Sequence, residues 1–223
     1  MEEQPAKAKP MAINELLLSL HHLIPTWLRN SRNLFLILTL IIVSGGIVFW
    51  CSDLASDSPM YYSGLGQSLS TDPVQYVFHA RNMILFGDFD PFDYPRWTVY
   101  QHSLTSLVGY VVFSIAGVSL HNANLVGVIL GGLGLILLTL GLLRHHKWWV
   151  TTAVALCYIV NITLLTHMRL PYLENGLVFW ASLLFFVYSW YGNRVCGVVL
   201  SGIIVAFAAF TGKLFGALLI GAV

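Results

Sequence analysis

The chain carries ten acidic and eleven basic side chains in 223 residues, so every ionisable group beside an apolar run needs a reason to be there. Arg169 and Glu174 stand close together in HMRLPYLENG (167–176), a short connection between two apolar stretches. Ionisable groups at a membrane boundary are costly to bury unpaired, and they generally face a cavity or each other. The plainer alternative is that Arg169 snorkels and Glu174 complements the dipole at the start of the next helix. Asp72 has a comparable double reading, as a carboxylate in a loop or as the N-cap of the segment that follows. Lys213 closes an apolar run, as a span-ending cation does. Arg81 and Arg96 lie among Asp53, Asp57, Asp72, Asp88, Asp90 and Asp93, within a stretch (51–100) that also holds tyrosines, prolines and a tryptophan.

Other chemistries have little to stand on. Cys51, Cys157 and Cys196 are single and far apart, with no spacing that suggests a metal site or a redox pair. Cys157 and Cys196 lie inside apolar runs and read as small core residues. The pairs His21–His22 and His145–His146 flank membrane segments and read as interfacial. A formal net charge of +1 provides no global field for nucleic acid.

The elements that must position these residues are membrane helices. Only 9% of the residues are charged and 57% are hydrophobic, with a mean hydropathy of +0.75; soluble domains run near a quarter charged. Lipid must be the solvent for much of this chain, and the fold class is an all-α, multi-span helical bundle. Residues 1–10 are polar, and 12–28 suit a helix lying on the membrane surface. The first span is Leu34–Trp50, read as a retained anchor. Four further apolar segments follow: Asn124–Leu143, Trp148–Thr166, Leu177–Tyr191 and Val195–Gly212. Ser103–Leu120 is ambiguous, with serines, a threonine and glycines in it. Between the first span and this segment, Asp72-Pro73 opens a helical pattern that stops at Gly87, with Asp as N-cap, proline at the first helical position and glycine past the end. Asn161, inside Trp148–Thr166, is the main polar exception within a span. The run Leu214–Val223 is too short to span and suggests a chain lacking a C-terminal portion.

Charge placement orders these segments. If 103–120 does not cross, one side collects Lys7, Lys9, Arg29, Arg32, Arg144, Lys147 and Arg194, against Arg81, Arg96, Arg169 and Lys213 on the other. A crossing gives a more even split, so the positive-inside rule favours the non-crossing arrangement by a small margin. All acids beyond residue 50 then face outward. The expectation is about five full spans, with a juxtamembrane or shallow re-entrant helix near 103–119. The N-terminus is cytoplasmic, and the membrane is the plasma (inner) membrane.

The stretch TDPVQYVFHARNMILFGDFDPF resembles the first-loop motif of the GT-C superfamily of membrane glycosyltransferases, through Asp72, Tyr76, Ala80, Arg81, Asn82, Met83, Gly87 and Asp88. HMRLPYLENGLVFW is similar to the arginine-then-acid segment of protein mannosyltransferases and aminoarabinose transferases, and FTGKLFGALLIG to their later lysine segment. The resemblance runs in order over residues 34–223. It departs at Pro73, where many relatives have glutamate, and at Glu174, where aspartate is common.

The resemblance implies a cytoplasmic tail and interfacial helix (1–33) and a GT-C-like module (34–223) whose first outer loop is 51–121. It implies transfer of a sugar from a polyprenyl-phosphate donor to an acceptor at the outer membrane face, with inversion. Asp72 would be the general base, and Glu174 would orient the acceptor, pair with Arg169 or share a divalent cation. Arg81, Arg96, Arg169 and Lys213 would hold the leaving phosphate, with Tyr76 and Tyr172 on the substrate. Metal dependence stays open. The alternative is a non-catalytic membrane subunit with a GT-C-like half fold that docks a protein partner.

Overall fold

The computed structural model describes residues 31–56, 76–91 and 103–209. Among these residues there are eight α-helices and no strand: α1 Ser31–Cys51, α2 Phe78–Phe86, α3 Ser103–Ala116, α4 Leu120–His145, α5 Trp148–Val160, α6 Ile162–Met168, α7 Leu173–Tyr191 and α8 Val195–Ala209. A single 3-10 turn, Leu54–Ser56, follows α1.

Three of these helices are long and apolar enough to cross a membrane: Asn33–Cys51, Leu120–His145 and Leu173–Tyr191. A fourth span is made if α5 and α6 count together, although they bend by 68° at their junction. The expected count of about five is therefore corrected to three or four among the described residues. The run Trp148–Thr166 is not one straight helix. Asn161 interrupts it, its Oδ1 accepting from the backbone N–H groups of Thr163 and Leu164 at 3.0 Å each. An asparagine that caps a new helix start offers the backbone an alternative to continuing the old one. The described part of α8 is 15 residues, or about 22 Å at 1.5 Å per residue, against a hydrocarbon core of roughly 30 Å.

In lipid the tails are as apolar as leucine, so helices associate through close packing and small residues rather than by escape from water. The α4–α7 contact, the most extensive among the described helices, is built this way. Gly127, Gly134 and Gly141 recur every seventh residue on one face of α4. A Cβ at Gly127 would strike the Leu170 carbonyl oxygen; at Gly134 it would press on Val178 Cγ1 at 3.3 Å; at Gly141 it would meet Phe185 Cδ1 at 2.7 Å. The partners advance in the same direction, so α4 and α7 run parallel. A second parallel pair is α1 with α5. Phe35 stacks on Trp148, the Thr39 and Thr152 hydroxyls hydrogen-bond at 2.7 Å, and Gly46 lies under Ile159, all at one constant sequence offset.

These pairings define two ends. One end gathers the close of α1, the 3-10 turn, the start of α4 and the α6–α7 turn; Asn124 Nδ2 donates to the Leu54 carbonyl at 2.8 Å there. The other gathers Phe35, the α4–α5 connection and the close of α7, where Trp190 Nε1 donates to the Leu140 carbonyl at 3.2 Å. The end of α1 and the start of α4 thus lie at the same end of the bundle. The helix α3 between them has 14 residues and stops at Gly117, whose φ of +83° suits a residue without a Cβ.

Two apolar clusters form the interior. One joins Val43, Trp50, Leu54, Leu135, Ile159 and Met168; the other joins Val77, Ala80, Phe113, Ala123, Val126 and Leu130. Outside them many large apolar side chains are open, including Leu40 (64% exposed), Val48 (71%), Ile115 (82%) and Val195 (81%). A surface of this kind fits a lipid surround and not water. The molecule has the helices and the exterior of a membrane protein. Cys157 and Cys196, expected in the core, are exposed instead; an apolar position on a membrane helix can face lipid as readily as protein.

Candidate functional site

The site is assembled around the α6–α7 turn. Asn175, fully buried in the first turn of α7, sends its Nδ2 to the carbonyls of His167 (2.9 Å) and Leu170 (2.7 Å). These bonds tie the turn residues to the helix that follows. Gly127 leaves the space into which the Leu170 carbonyl fits. Arg169, half-buried, ends α6, and its Nη2 reaches across to donate to the Asp53 carbonyl over a long 3.4 Å. Asp53 itself adopts a left-handed φ of +49°, uncommon for a side chain with a Cβ. The 3-10 turn that follows is held in place by Asn124.

Glu174 lies in the first turn of α7, next to Tyr172 at its N-cap. That is the place where a carboxylate complements the helix dipole. The rings of His167 and Tyr172 stand 4.9 Å apart and cover the turn. Arg169, Tyr172 and Glu174 thus belong to one turn and the helix start that follows it, and Arg169 joins that turn to the backbone that opens the first loop.

The first-loop residues occupy the neighbouring side of α4. Tyr76, Val77 and Ala80 are buried, with Ala80 Cβ at 3.0 Å from where a Cβ on Gly109 would sit. The expected helix start at Asp72 falls outside the described residues. The regular helix α2 begins at Phe78, with Val77 at its N-cap and no side-chain cap bond. Val77 and Ala80 share a buried cluster with Val112 and Phe113 of α3. The expected stop holds: Gly87 has φ +74° and its N–H closes on Met83. Beyond it Asp88 Oδ1 accepts from the Asp90 N–H at 3.0 Å, and His79 Nδ1 is 2.9 Å from the Phe89 carbonyl.

Arg81 is exposed and lies 5.8 Å from the Phe78 ring centroid. It lines an apolar cavity of about 250 Å³ that reaches Phe113, Ser119 and Ala123. Ala123 faces this cavity while the adjacent Asn124 faces Leu54. Successive residues on a helix point about 100° apart, so Arg81 and Arg169 occupy neighbouring sectors around the first turns of α4. Asp72, Arg96 and Lys213 lie outside the described residues, as do the 12–28 segment and His21–His22.

Asn82, Asn124 and Asn175 were not singled out for their chemistry by sequence reasoning, yet all three are at most 1% exposed. Their signal was an amide in an otherwise apolar helix, which hydropathy alone passes over. Asn82 has both side-chain polar atoms buried without a hydrogen bond. Among the described residues, no group of three or more His, Cys, Asp or Glu side chains is placed to hold a metal ion. Comparison with protein-family models, with curated proteins and with solved structures returned no match.

Proposed function

We propose that the chain is a membrane glycosyltransferase that moves a sugar from a polyprenyl-phosphate donor to an acceptor hydroxyl at one membrane face, inverting the anomeric carbon. The observation that carries this reading is the contact between Arg169 and the Asp53 carbonyl. It brings the second acidic segment against the root of the first loop, at one end of the bundle. The motif resemblance in those two segments supplies the reaction class.

In this reading Asp72 takes the proton from the acceptor hydroxyl as its oxygen bonds to the anomeric carbon. The bond from that carbon to the phosphate oxygen breaks on the opposite face, as in an inverting displacement. Arg169 and Lys213 hold the phosphate as its charge grows, Arg169 through a fork geometry that lysine lacks. Glu174 orients the acceptor or balances Arg169, and Arg81 and Arg96 extend the cationic surround. The outward orientation of this end, in the plasma membrane, belongs to the same proposal.

A second reading is a non-catalytic membrane subunit. The Arg169–Asp53 contact favours it to the extent that the guanidinium is holding a loop rather than a substrate. Sugar transfer from a lipid-phosphate donor by the full chain separates the two. The Asp72→Asn variant is expected to lose roughly 100-fold or more of the turnover, the usual range for a positioned base. Near-normal turnover in that variant, with the fold intact, would sink the base assignment.

A further inference from the structure

The end of the bundle opposite the candidate site holds a cavity of about 320 Å³, lined by Arg144 and His145 of α4 and by residues 188–194 at the close of α7. Its ionisable lining is cationic, with Arg144 and Arg194 as the fixed charges and no acid among them. Asp53 and Glu174 belong to the segments gathered at the other end. The Arg144 guanidinium lies 5.5 Å from the Trp190 ring centroid, and the Trp190 indole N–H is anchored on the Leu140 carbonyl. A ring fixed in this way holds the arginine beside the cavity. Lys147 and His146 line an adjacent opening next to Trp148, adding to the positive field.

We propose that this cavity binds the phosphate of an anionic phospholipid headgroup, with Arg144 and Arg194 as its ligands. Two observations select a lipid over a soluble anion. The cavity sits at the ends of two spans, with Tyr188, Trp190 and Tyr191 around it, the residue types that occupy the headgroup level. Past Arg194 the surface turns apolar and open at Val195 (81% exposed), Val198 (62%) and Val199 (55%), where acyl chains would lie. Basic pockets between membrane helices are suited to such headgroups, each cation near the surface adding attraction. The site is independent of the glycosyl-transfer reading.

The test is native mass spectrometry of the full chain taken from vesicles of mixed phosphatidylglycerol and phosphatidylcholine. Wild type is expected to retain phosphatidylglycerol over phosphatidylcholine by roughly tenfold, and R144Q/R194Q to lose that preference. R144K/R194K, which keeps the charge, should retain part of it, and serves where the glutamine variant fails to fold. Equal retention of the two lipids by wild type, or a preference unchanged in R144Q/R194Q, overturns the proposal. Displacement of phosphatidylglycerol by inorganic phosphate at millimolar concentration would assign the cavity to a soluble anion and overturn the lipid source.

Discussion

Asn124, Asn161 and Asn175 each satisfy a backbone group at a place where helix geometry stops. Asn124 takes the Leu54 carbonyl beyond α1, Asn161 caps the N–H groups of α6, and Asn175 holds two carbonyls of the α6–α7 turn. In lipid those backbone groups have no water to fall back on. Asn175→Leu is therefore expected to lower stability in detergent by about 1–3 kcal/mol, because it strands two carbonyls. A thermal melt checks it; an unchanged midpoint would remove Asn175 from the account. The outcome matters for the site, since Asn175 sets the turn carrying Arg169 and Tyr172. Arg169 and Glu174 each stood out in the sequence, being charges next to apolar runs. Asn161 stood out as the polar exception within a span, but Asn124 and Asn175 did not, because an amide scores as a small dip in hydropathy whether it caps a helix or faces lipid. Cys157 and Cys196 were misread for a related reason: an apolar run does not say which of its sides meets protein.

At the scale of helices, α1, α4 and α7 were legible as apolar runs of spanning length, and the stop at Gly87 followed from its backbone requirement. The 68° break between α5 and α6 was hidden because its cause is a cap inside a continuous apolar stretch. The parallel register of α4 on α7 was hidden too, since it depends on which partner meets Gly127, Gly134 and Gly141. It makes a direct prediction. Gly127→Ala puts a methyl against the Leu170 carbonyl and should destabilise by about 1–3 kcal/mol, as overpacking does. Gly45→Ala in α1, where a Cβ meets nothing within 4 Å, should be neutral or gain up to ~1 kcal/mol from helix propensity. Equal effects of the two substitutions in a denaturation series would refute the packing register. Asn161→Ala should cost about 0.5–2 kcal/mol through the lost cap.

The described helices are organised around two ends. One carries Asp53, Glu174 and the turn holding Arg169; the other carries Arg144, Lys147 and Arg194 with their aromatic neighbours. Because α1 closes and α4 opens at one end of the bundle, Ser52 and His121 are expected to share one side of the membrane, with Lys147 and Asn193 on the other. In a chain with Cys51, Cys157 and Cys196 replaced by serine, single cysteines at these four positions should label from opposite sides in those two pairs. Labelling of Ser52→Cys and His121→Cys from different sides would mean that α3 crosses.

The central claim is that both acidic segments serve one site, and it is tested most directly by proximity. In the same cysteine-free background, Asp72→Cys with Glu174→Cys is treated with a thiol cross-linker spanning about 10 Å, the range over which paired catalytic carboxylates act. Asp53→Cys with Arg169→Cys, on either side of the contact described above, serves as the positive control. The account predicts that both pairs cross-link. Cross-linking of the control pair with none between positions 72 and 174 would contradict it.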